Sequence, residues 1–249
     1  MNKEQYYPLS FSSCKAFSTS PAHFIAYKNR QQHQTPAMRF GTAVHVATLE
    51  PKRFEDAYKE LTVRRGTAAY KAIVEQHPNA EFLSKTEYED CLKLRDSVRA
   101  HPVAKRLLED CTEYEKELTG NVLGFPFRGF ADGVAPSYVV DLKTTQKGNP
   151  RDFTSDAYRQ KYHVQGYIYA SLLQQLTGQP ISEHWLITVE KTSPYVVTCY
   201  RLAPEYLQRG KKQLQDILNH FTQWDGVSRG YDHAASFGHF NLDVPAWAL

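Results

Sequence analysis

The sequence has few cysteines, and they are far apart. The four cysteines stand at Cys14, Cys91, Cys111 and Cys199, without a CxxC pair or a neighbouring histidine motif. Structural zinc sites and iron–sulfur clusters are built on closely spaced ligands, so this spacing argues against both kinds of site. Scattered cysteines are instead typical of reduced thiols in a cytoplasmic protein.

The sequence also lacks a long apolar run. No stretch approaches the ~20 residues of a membrane span, and the first residues, MNKEQYYPLS, lack the apolar core of a signal peptide. No internal repeat or low-complexity linker interrupts the 249 residues. We therefore expect a cytoplasmic protein without a membrane partner.

The excess of positive charge is small. The chain has 30 lysines and arginines against 27 acidic residues, a net charge of +3, so overall electrostatics favour nucleic acid only weakly. Basic residues are nevertheless concentrated in two segments. Five of them lie between Lys143 and Lys161, against two acids, and a second cluster comprises Arg209, Lys211 and Lys212. The second cluster is equally well explained as a solvated helix face.

What the sequence does contain is a helical first part followed by strand-like runs. Apolar spacing predicts helices over residues 12–30, 40–49, 85–100, 102–108, 152–176 and 204–224. Alternating patterns predict strands over residues 114–118, 125–131, 138–142, 185–190 and 195–201, with Gly120-Asn121 separating the first two. Residues 51–83 are predicted to be irregular, apart from a short helix near 68–75.

This order of elements predicts one α/β domain with a mixed central sheet flanked by helices. Residues 1–110 would form a mainly helical portion, residues 111–225 the core, and residues 226–249 a C-terminal tail.

An Asp-x-Lys pattern carries the clearest chemical signal. An apolar run, Tyr138-Val139-Val140, leads into Asp141-Leu142-Lys143. Residues i and i+2 of a strand share a face, so the carboxylate and the ammonium would project together from one edge of a sheet. A second carboxylate, Asp132, lies nine residues earlier. Metal-assisted hydrolysis of a phosphodiester requires acids that hold a divalent cation and a group that orients water.

Each member of such a constellation has an ordinary structural explanation when it is taken alone. His45 lies among apolar helix residues, where a lone histidine is more often structural than a ligand. Asp132 could be a turn residue beside Gly133. Gln165 and Tyr169, one helical turn apart, could belong to a packing face.

The order of four motifs changes this balance. The motifs are Gly41 to His45, Gly129 to Asp132, Asp141 to Lys143 and Gln165 to Tyr169. The chain thereby resembles the RecB-like branch of the PD-(D/E)XK nuclease superfamily, in which GxxxH, GxxD, DxK and QxxxY motifs occur in this order. The resemblance implies a restriction-endonuclease-like core.

A closer resemblance is to the exonuclease VIII (RecE) family of phage and prophage recombination exonucleases. The segments that carry it are Ser12-Ser13-Cys14-Lys15, Phe40-Gly41-Thr42-Ala43-Val44-His45, His101-Pro102-Val103-Ala104 and Pro245-Ala246-Trp247. The likeness spans nearly the whole chain and corresponds to the nuclease portion of the family. It implies a protein encoded by a phage or prophage and active in the bacterial cytoplasm.

The resemblance also assigns roles to individual residues. His45, Asp132, Asp141 and the main-chain carbonyl of Leu142 would bind Mg²⁺ or Mn²⁺. Lys143 would position or deprotonate the attacking water, and Gln165 and Tyr169 would hold substrate phosphate or support the lysine. Two further acids are weaker candidates, Glu50 for the outer shell and Glu117 for the second shell or a second metal.

The function implied is a 5′→3′ exonuclease on linear double-stranded DNA that leaves 3′ single strands for an annealing protein. Lys15, Arg64 and Arg65 could bind the terminal phosphate, although ordinary surface charge explains each equally well. A ring-shaped homo-oligomer, a tetramer rather than a trimer, would hold the DNA. Its interface would lie near the aromatic tail residues Tyr231, Phe237, Phe240 and Trp247. The alternatives are a structure-specific or single-strand nuclease, and a DNA-binding subunit with an inactive nuclease core.

Overall fold

A mixed sheet of five strands lies at the centre of the computed structural model, which describes residues 3–29, 35–181, 183–227 and 230. The strands stand in the order β3-β4-β5-β6-β7. Their bounds are β3 Glu113–Val122, β4 Phe125–Val134, β5 Tyr138–Thr145, β6 Glu183–Glu190 and β7 Val197–Arg201. Only β5 and β6 run parallel, and the other neighbours are antiparallel. The mixed α/β architecture predicted from the sequence is confirmed.

The β3–β4 hairpin turns at Leu123-Gly124. Both residues have positive φ, 51° and 85°, which is the backbone of a two-residue type I′ turn. The prediction that Gly120-Asn121 separates the strands is therefore wrong, because these residues lie inside β3. The turn sets the register, in which Tyr114 pairs with Gly133 and Lys116 with Ala131. Glu115, between them, stands across from Asp132 but is not paired with it in the ladder, and its φ of 47° departs from strand geometry.

Strands β4 and β5 separate soon after they meet. Their ladder consists of the pairs Gly133–Val140 and Val134–Val139. From Asp141 onward, β5 continues beside β6 through the pair Thr145–Glu190. One edge of β5 is therefore open beyond Val140.

Helices cover the two faces of the sheet unequally. One face packs against α1 Phe11–Phe17, α2 Pro21–Lys28, α9 Tyr162–Thr177 and α10 Pro204–Gln223. The rings of Phe17, Phe24, Phe221 and Trp224 meet in this core. On the other face, α3 Pro36–Leu49, α6 Lys85–Ala100 and α7 Pro102–Glu109 pack against β5 and β6. The β3–β4 part of that second face carries the exposed residues Glu117, Thr119, Arg128 and Phe130.

The segment 51–83 is more regular than its polar sequence predicts. It contains α4 Pro51–Ala57, β1 Tyr58–Leu61, α5 Ala68–Gln76 and β2 Glu81–Ser84, and β1 and β2 pair in parallel. Phe54 stacks on Tyr58 with ring centroids 5.2 Å apart, and both rings are buried. These few apolar contacts organise a segment whose length alone suggested a loop.

Two long helices predicted from the sequence are each divided. The first is interrupted between Phe17 and Pro21, where Ser20 caps α2. The second consists of α8 Pro150–Arg159 and α9, separated at Lys161, whose φ of 64° cannot continue an α-helix. The break places Tyr162 at the start of α9, where its ring faces the candidate site. The sequence of the break has neither proline nor glycine, so no local signal revealed it.

Within the described part of the chain, none of the helices is both long and apolar enough to cross a bilayer. The aromatic tail residues predicted near an interface lie outside the described residues.

Candidate active site and metal centre

Three side chains from three elements converge at the open edge of β5. His45 comes from α3, Glu115 from β3 and Asp132 from β4, and one ligand atom of each lies within 4.8 Å of the others. His45 Nδ1 is 3.4 Å from Asp132 Oδ2. An imidazole and two carboxylates are a donor set that suits Mg²⁺ or Mn²⁺. The residues therefore fit a divalent cation.

The electrostatics of the cluster also fit a cation. Burial and the Asp141 carboxylate raise the pKa of Asp132 to about 6, against the attraction of His45. Burial, Asp132 and Glu50 raise the pKa of Glu115 to about 7. Acids that repel one another in a partly dry site bind protons more tightly, and a divalent cation relieves the same repulsion.

Leu142 connects the cluster to the main chain of β5. Its N–H donates a hydrogen bond of 2.7 Å to Asp132 Oδ2. In an extended strand the N–H and C=O of one residue point to the same side, so the Leu142 carbonyl is directed toward the opening as well. This position is compatible with the predicted carbonyl ligand, which stays a prediction.

Asp141 is the most buried acid of the site, with 1% of its surface exposed. Its Oδ1 accepts a hydrogen bond of 2.9 Å from Gln165 Nε2, and its Oδ2 forms an ion pair with Lys143. The carboxylate is not a member of the three-residue cluster. Its predicted role as a metal ligand would require an exchange of the Lys143 contact for a contact with the cation, and it stays a prediction.

Lys143 carries a positive charge in a half-buried position, with 17% of its side chain exposed. Burial lowers the pKa of its ammonium, but Asp141, Tyr162 and Asp132 outweigh this effect and hold the pKa above its ordinary value. The ammonium nitrogen also lies 4.7 Å from the centroid of the Tyr162 ring, a cation–π contact. A lysine that keeps its proton is suited to orient water or phosphate rather than to act as a base.

Helix α9, which carries the Gln165–Tyr169 motif, supports the Asp141–Lys143 pair from the side opposite to α3. Gln165 and Tyr169 are both buried and lie one turn apart on α9. Burial and the Asp141 carboxylate raise the pKa of Tyr169 to about 12, so its phenol remains protonated. A Cβ atom on Gly129 would lie 2.8 Å from the Tyr169 ring, which explains why the strand motif needs glycine there.

The cluster opens into a basic cleft of about 1230 Å³. His45, Glu115, Asp132 and Lys143 lie in its wall, and its basic side chains are Arg53, Lys143, Lys147, Arg151, Arg159 and Lys191. Asp152 and Asp156 also line the wall, where they pair with Lys147 and Arg159. Six basic side chains against four acidic ones therefore leave a small positive excess. The segment between Lys143 and Lys161 therefore forms one side of the cleft, as its charge suggested. A groove of this charge is suited to a phosphate backbone.

The three predicted phosphate ligands lie in different surroundings. Lys15 hydrogen-bonds Gln160, a residue of the cleft wall. Burial, Lys143 and Lys161 lower the pKa of Lys15, so it stands near two other ammonium groups. Arg65 instead donates to the carbonyl of Phe82 at 2.9 Å, in the small sheet. Neither Arg64 nor Arg65 lines the cleft.

Glu115 is the site residue that the sequence interpretation missed. Glu117 was the candidate, but its carboxylate pairs with Arg128 at 2.6 Å on the exposed hairpin surface. Regular alternation would place Glu115 and Glu117 on one strand face, so the sequence pattern alone could not separate them. In the structure Glu115 has a φ of 47°, which departs from regular strand geometry. The hairpin register separates them, and Leu123-Gly124 is the signal from which it could have been found. Glu50 pairs with Arg53 at 2.5 Å and acts on Glu115 only through its charge.

The sheet, its Asp-x-Lys strand and the acidic cluster define a nuclease fold of the PD-(D/E)XK type. A family model described as a PDDEXK-like domain of unknown function, DUF3799, matches residues 10–229, and the chain belongs to this family. The superfamily predicted from the motifs is thereby confirmed.

Solved structures extend the comparison. A protein of Eubacterium rectale described as a "Putative exonuclease" superposes with a TM-score of 0.63 at 14% identity, covering 90% of this chain and 85% of its own. At this identity the likeness shows the fold. A phage related exonuclease of Haemophilus somnus is similar at 10% identity over 78% of this chain and 96% of its own, with a TM-score of 0.37. No curated protein matches the sequence.

The position of Glu115 leads to a prediction about cation binding. Glu115→Gln removes one charged ligand, so we expect the affinity for Mn²⁺ to fall by at least about tenfold, as measured by calorimetric titration. Glu117→Gln is the matched control, since it makes the same change two residues away on β3, at a carboxylate that pairs with Arg128 and lies outside the cluster. Equal Mn²⁺ affinity in both variants would show that Glu115 is not a ligand.

The same variant has a distinct effect on stability. In the unsubstituted protein the folded-state pKa of Glu115 is about 7, against an ordinary value of 4.5. Between these two pH values the native protein therefore holds a proton that the unfolded chain releases. The free energy of unfolding therefore falls as pH rises through this range. We expect Glu115→Gln to raise the melting temperature of the metal-free protein at pH 8 and not at pH 4.5.

Proposed function

We propose that this protein is a metal-dependent deoxyribonuclease that hydrolyses phosphodiester bonds at the ends of linear double-stranded DNA. The observation that carries the proposal is the convergence of His45, Glu115 and Asp132 beside the Asp141–Lys143 ion pair at the wall of the cleft. The family match supports the nuclease class. The exonuclease activity and the double-stranded DNA substrate are our proposals.

His45, Glu115 and Asp132 would hold Mg²⁺ or Mn²⁺, with the Leu142 carbonyl and Asp141 as the further predicted ligands. When bound, such a cation polarises the phosphate and lowers the pKa of water. The ammonium of Lys143 then orients the attacking water or a phosphate oxygen by hydrogen bonding. Gln165 keeps Asp141 in place, and the Tyr162 ring restricts where the Lys143 ammonium can move.

The direction of digestion is proposed as 5′→3′, by resemblance to the exonuclease VIII family. The products would be 3′ single strands that an annealing protein or recombinase uses. A 5′-terminal phosphate could bind at Lys15, because this ammonium stands near Lys143 and next to the cleft wall. Arg64 and Arg65 are weaker candidates for this role, since both lie away from the cleft wall.

A homo-oligomeric ring would explain how such an enzyme remains on one DNA molecule. Phosphate contacts are short-lived and sensitive to salt, whereas a closed ring retains the duplex by topology. A tetramer is proposed by the same resemblance. Light scattering at micromolar concentration should give about four times the chain mass of 28.6 kDa. A monomer that degrades DNA processively would contradict the ring.

Digestion of a linear duplex labelled at one end tests the proposal directly. We expect Mg²⁺-dependent release of label from the 5′ end first, and loss of most activity in Lys143→Ala because its ammonium orients the reacting groups. The variant should still bind Mn²⁺, unlike Asp132→Ala, which removes a ligand. Cleavage of closed circular or hairpin DNA would indicate a structure-specific nuclease, preference for unpaired DNA a single-strand nuclease, and binding without cleavage an inactive core.

Recognition of the 5′ end is tested by two single substitutions. We expect Lys15→Ala to slow digestion of 5′-phosphorylated duplex more than of 5′-hydroxyl duplex, because only the phosphate adds charge for the ammonium to bind. Lys105→Ala, the same loss of charge on α7 outside the cleft, is the control and should affect both substrates alike. If Lys15→Ala slows both substrates equally, the lysine provides general attraction and no end recognition.

A further inference from the structure

An exposed aromatic ring stands beside the metal centre. Phe130 is 45% exposed on β4, although the phenylalanines of the two main cores are buried. It lies two residues before Asp132, so both side chains project from the same face of the strand. Along the strand their Cα atoms are ~7 Å apart. The ring is thus an immediate neighbour of the candidate metal ligands.

Among the residues that the structure describes, no helix covers the surface around Phe130. On the opposite face of the hairpin, Gly120 and Gly129 approach α9 closely. On the face of Phe130, α3 and α6 pack against β5 and β6 and stop short of the hairpin. The exposed residues there are Glu117, Thr119, Asn121, Arg128 and Phe130. We call these five residues the hairpin face.

The hairpin face has the chemistry of a nucleobase platform. The Arg128 guanidinium lies 5.1 Å from the centroid of the Phe130 ring, and Glu117 holds its Nε at 2.6 Å. A phenyl ring and a guanidinium plane are the two surfaces on which unpaired bases stack. The remaining side chains are polar and small, so the face lacks the apolar core of a stable subunit interface.

We infer that Phe130, together with Arg128, stacks an unpaired base of the DNA strand whose phosphate lies at the metal centre. This inference rests on the proposed function and adds a residue to it. A base on the hairpin face belongs to a nucleotide next to the scissile phosphate, because the ring and Asp132 share one strand face. Stacking there would keep the terminal base apart from its partner strand while the phosphodiester bond is broken.

Steady-state digestion of a duplex end tests the role of the ring. Phe130→Leu keeps an apolar side chain and removes the flat surface, so we expect KM for DNA ends to rise about tenfold. Phe130→Tyr and Phe130→Trp should restore KM, which a role in packing alone would not predict. Leu176→Ala, a change at another exposed apolar residue at the end of α9, is the control and should leave KM unchanged.

Photocrosslinking tests the contact without relying on turnover. Duplexes with 5-iodo-2′-deoxyuridine at successive positions from the 5′ end are irradiated with Lys143→Ala protein, which keeps the DNA intact. We expect a crosslink at Phe130 from one of the first few positions. Crosslinks confined to other residues, with wild-type KM for Phe130→Leu, would overturn the platform while leaving the nuclease proposal in place.

Two other results would also overturn the inference. A change of particle mass in Phe130→Leu, with unchanged KM, would identify the hairpin face as an interface between copies of the chain. Failure of the wild-type protein both to bind and to cleave DNA would refute the proposed function and the platform with it.

Discussion

The opening between β4 and β5 is the constraint on which the candidate site depends. Beyond Val140 the Asp132 carboxylate, rather than a main-chain carbonyl of β4, accepts the N–H of Leu142. A buried amide without any partner would destabilise the fold, so the carboxylate is held at this position by the main chain itself. Because the Asp132 carboxylate replaces a main-chain carbonyl, the β4–β5 ladder ends at Val140. At the edge left open, side chains from α3 and β3 can reach Asp132.

The site concentrates negative charge to a degree that the fold alone would not favour. Asp132, Glu115 and Asp141 lie near one another, and the half-buried Lys143 ammonium lies beside them. Taking such groups out of water costs free energy that the ion pair only partly offsets. The apolar cores on the two faces of the sheet supply the stability that lets this arrangement persist. A divalent cation would remove the repulsion that raises the pKa values of Glu115 and Asp132.

Unequal covering of the sheet creates the two surfaces that we propose bind DNA. Residues 36–49 and 85–109 cover β5 and β6 and bring His45 to the edge of the sheet, while the β3–β4 hairpin stays open on the same side. The cleft opens from the candidate metal cluster, and Phe130 of the hairpin face lies two residues before Asp132 on β4. The basic side chains of the cleft and the aromatic ring of Phe130 thus lie at different places around the candidate metal cluster. This arrangement suits a ligand with a charged backbone and stacked bases.

The sequence determined what depends on neighbours along the chain. Apolar periodicity predicted α6 at Lys85–Ala100 with the same bounds as the structure, and the four motifs predicted most of the chemical groups of the candidate site. Local pattern failed where a single backbone conformation decided the outcome. The positive φ of Lys161 divides a predicted helix, and the turn at Leu123-Gly124 replaces the one expected at Gly120-Asn121.

Only the tertiary structure decided which of these groups meet. Strand register places Glu115 rather than Glu117 opposite Asp132, and packing of α1 brings Lys15 near Lys143 while Arg65 is bound in the small sheet. The same packing leaves Phe130 exposed, although phenylalanine on a strand is usually buried. Residue type and spacing are local properties that can be read directly from the sequence. Register and packing are set by contacts between distant segments, and no short stretch of sequence contains them.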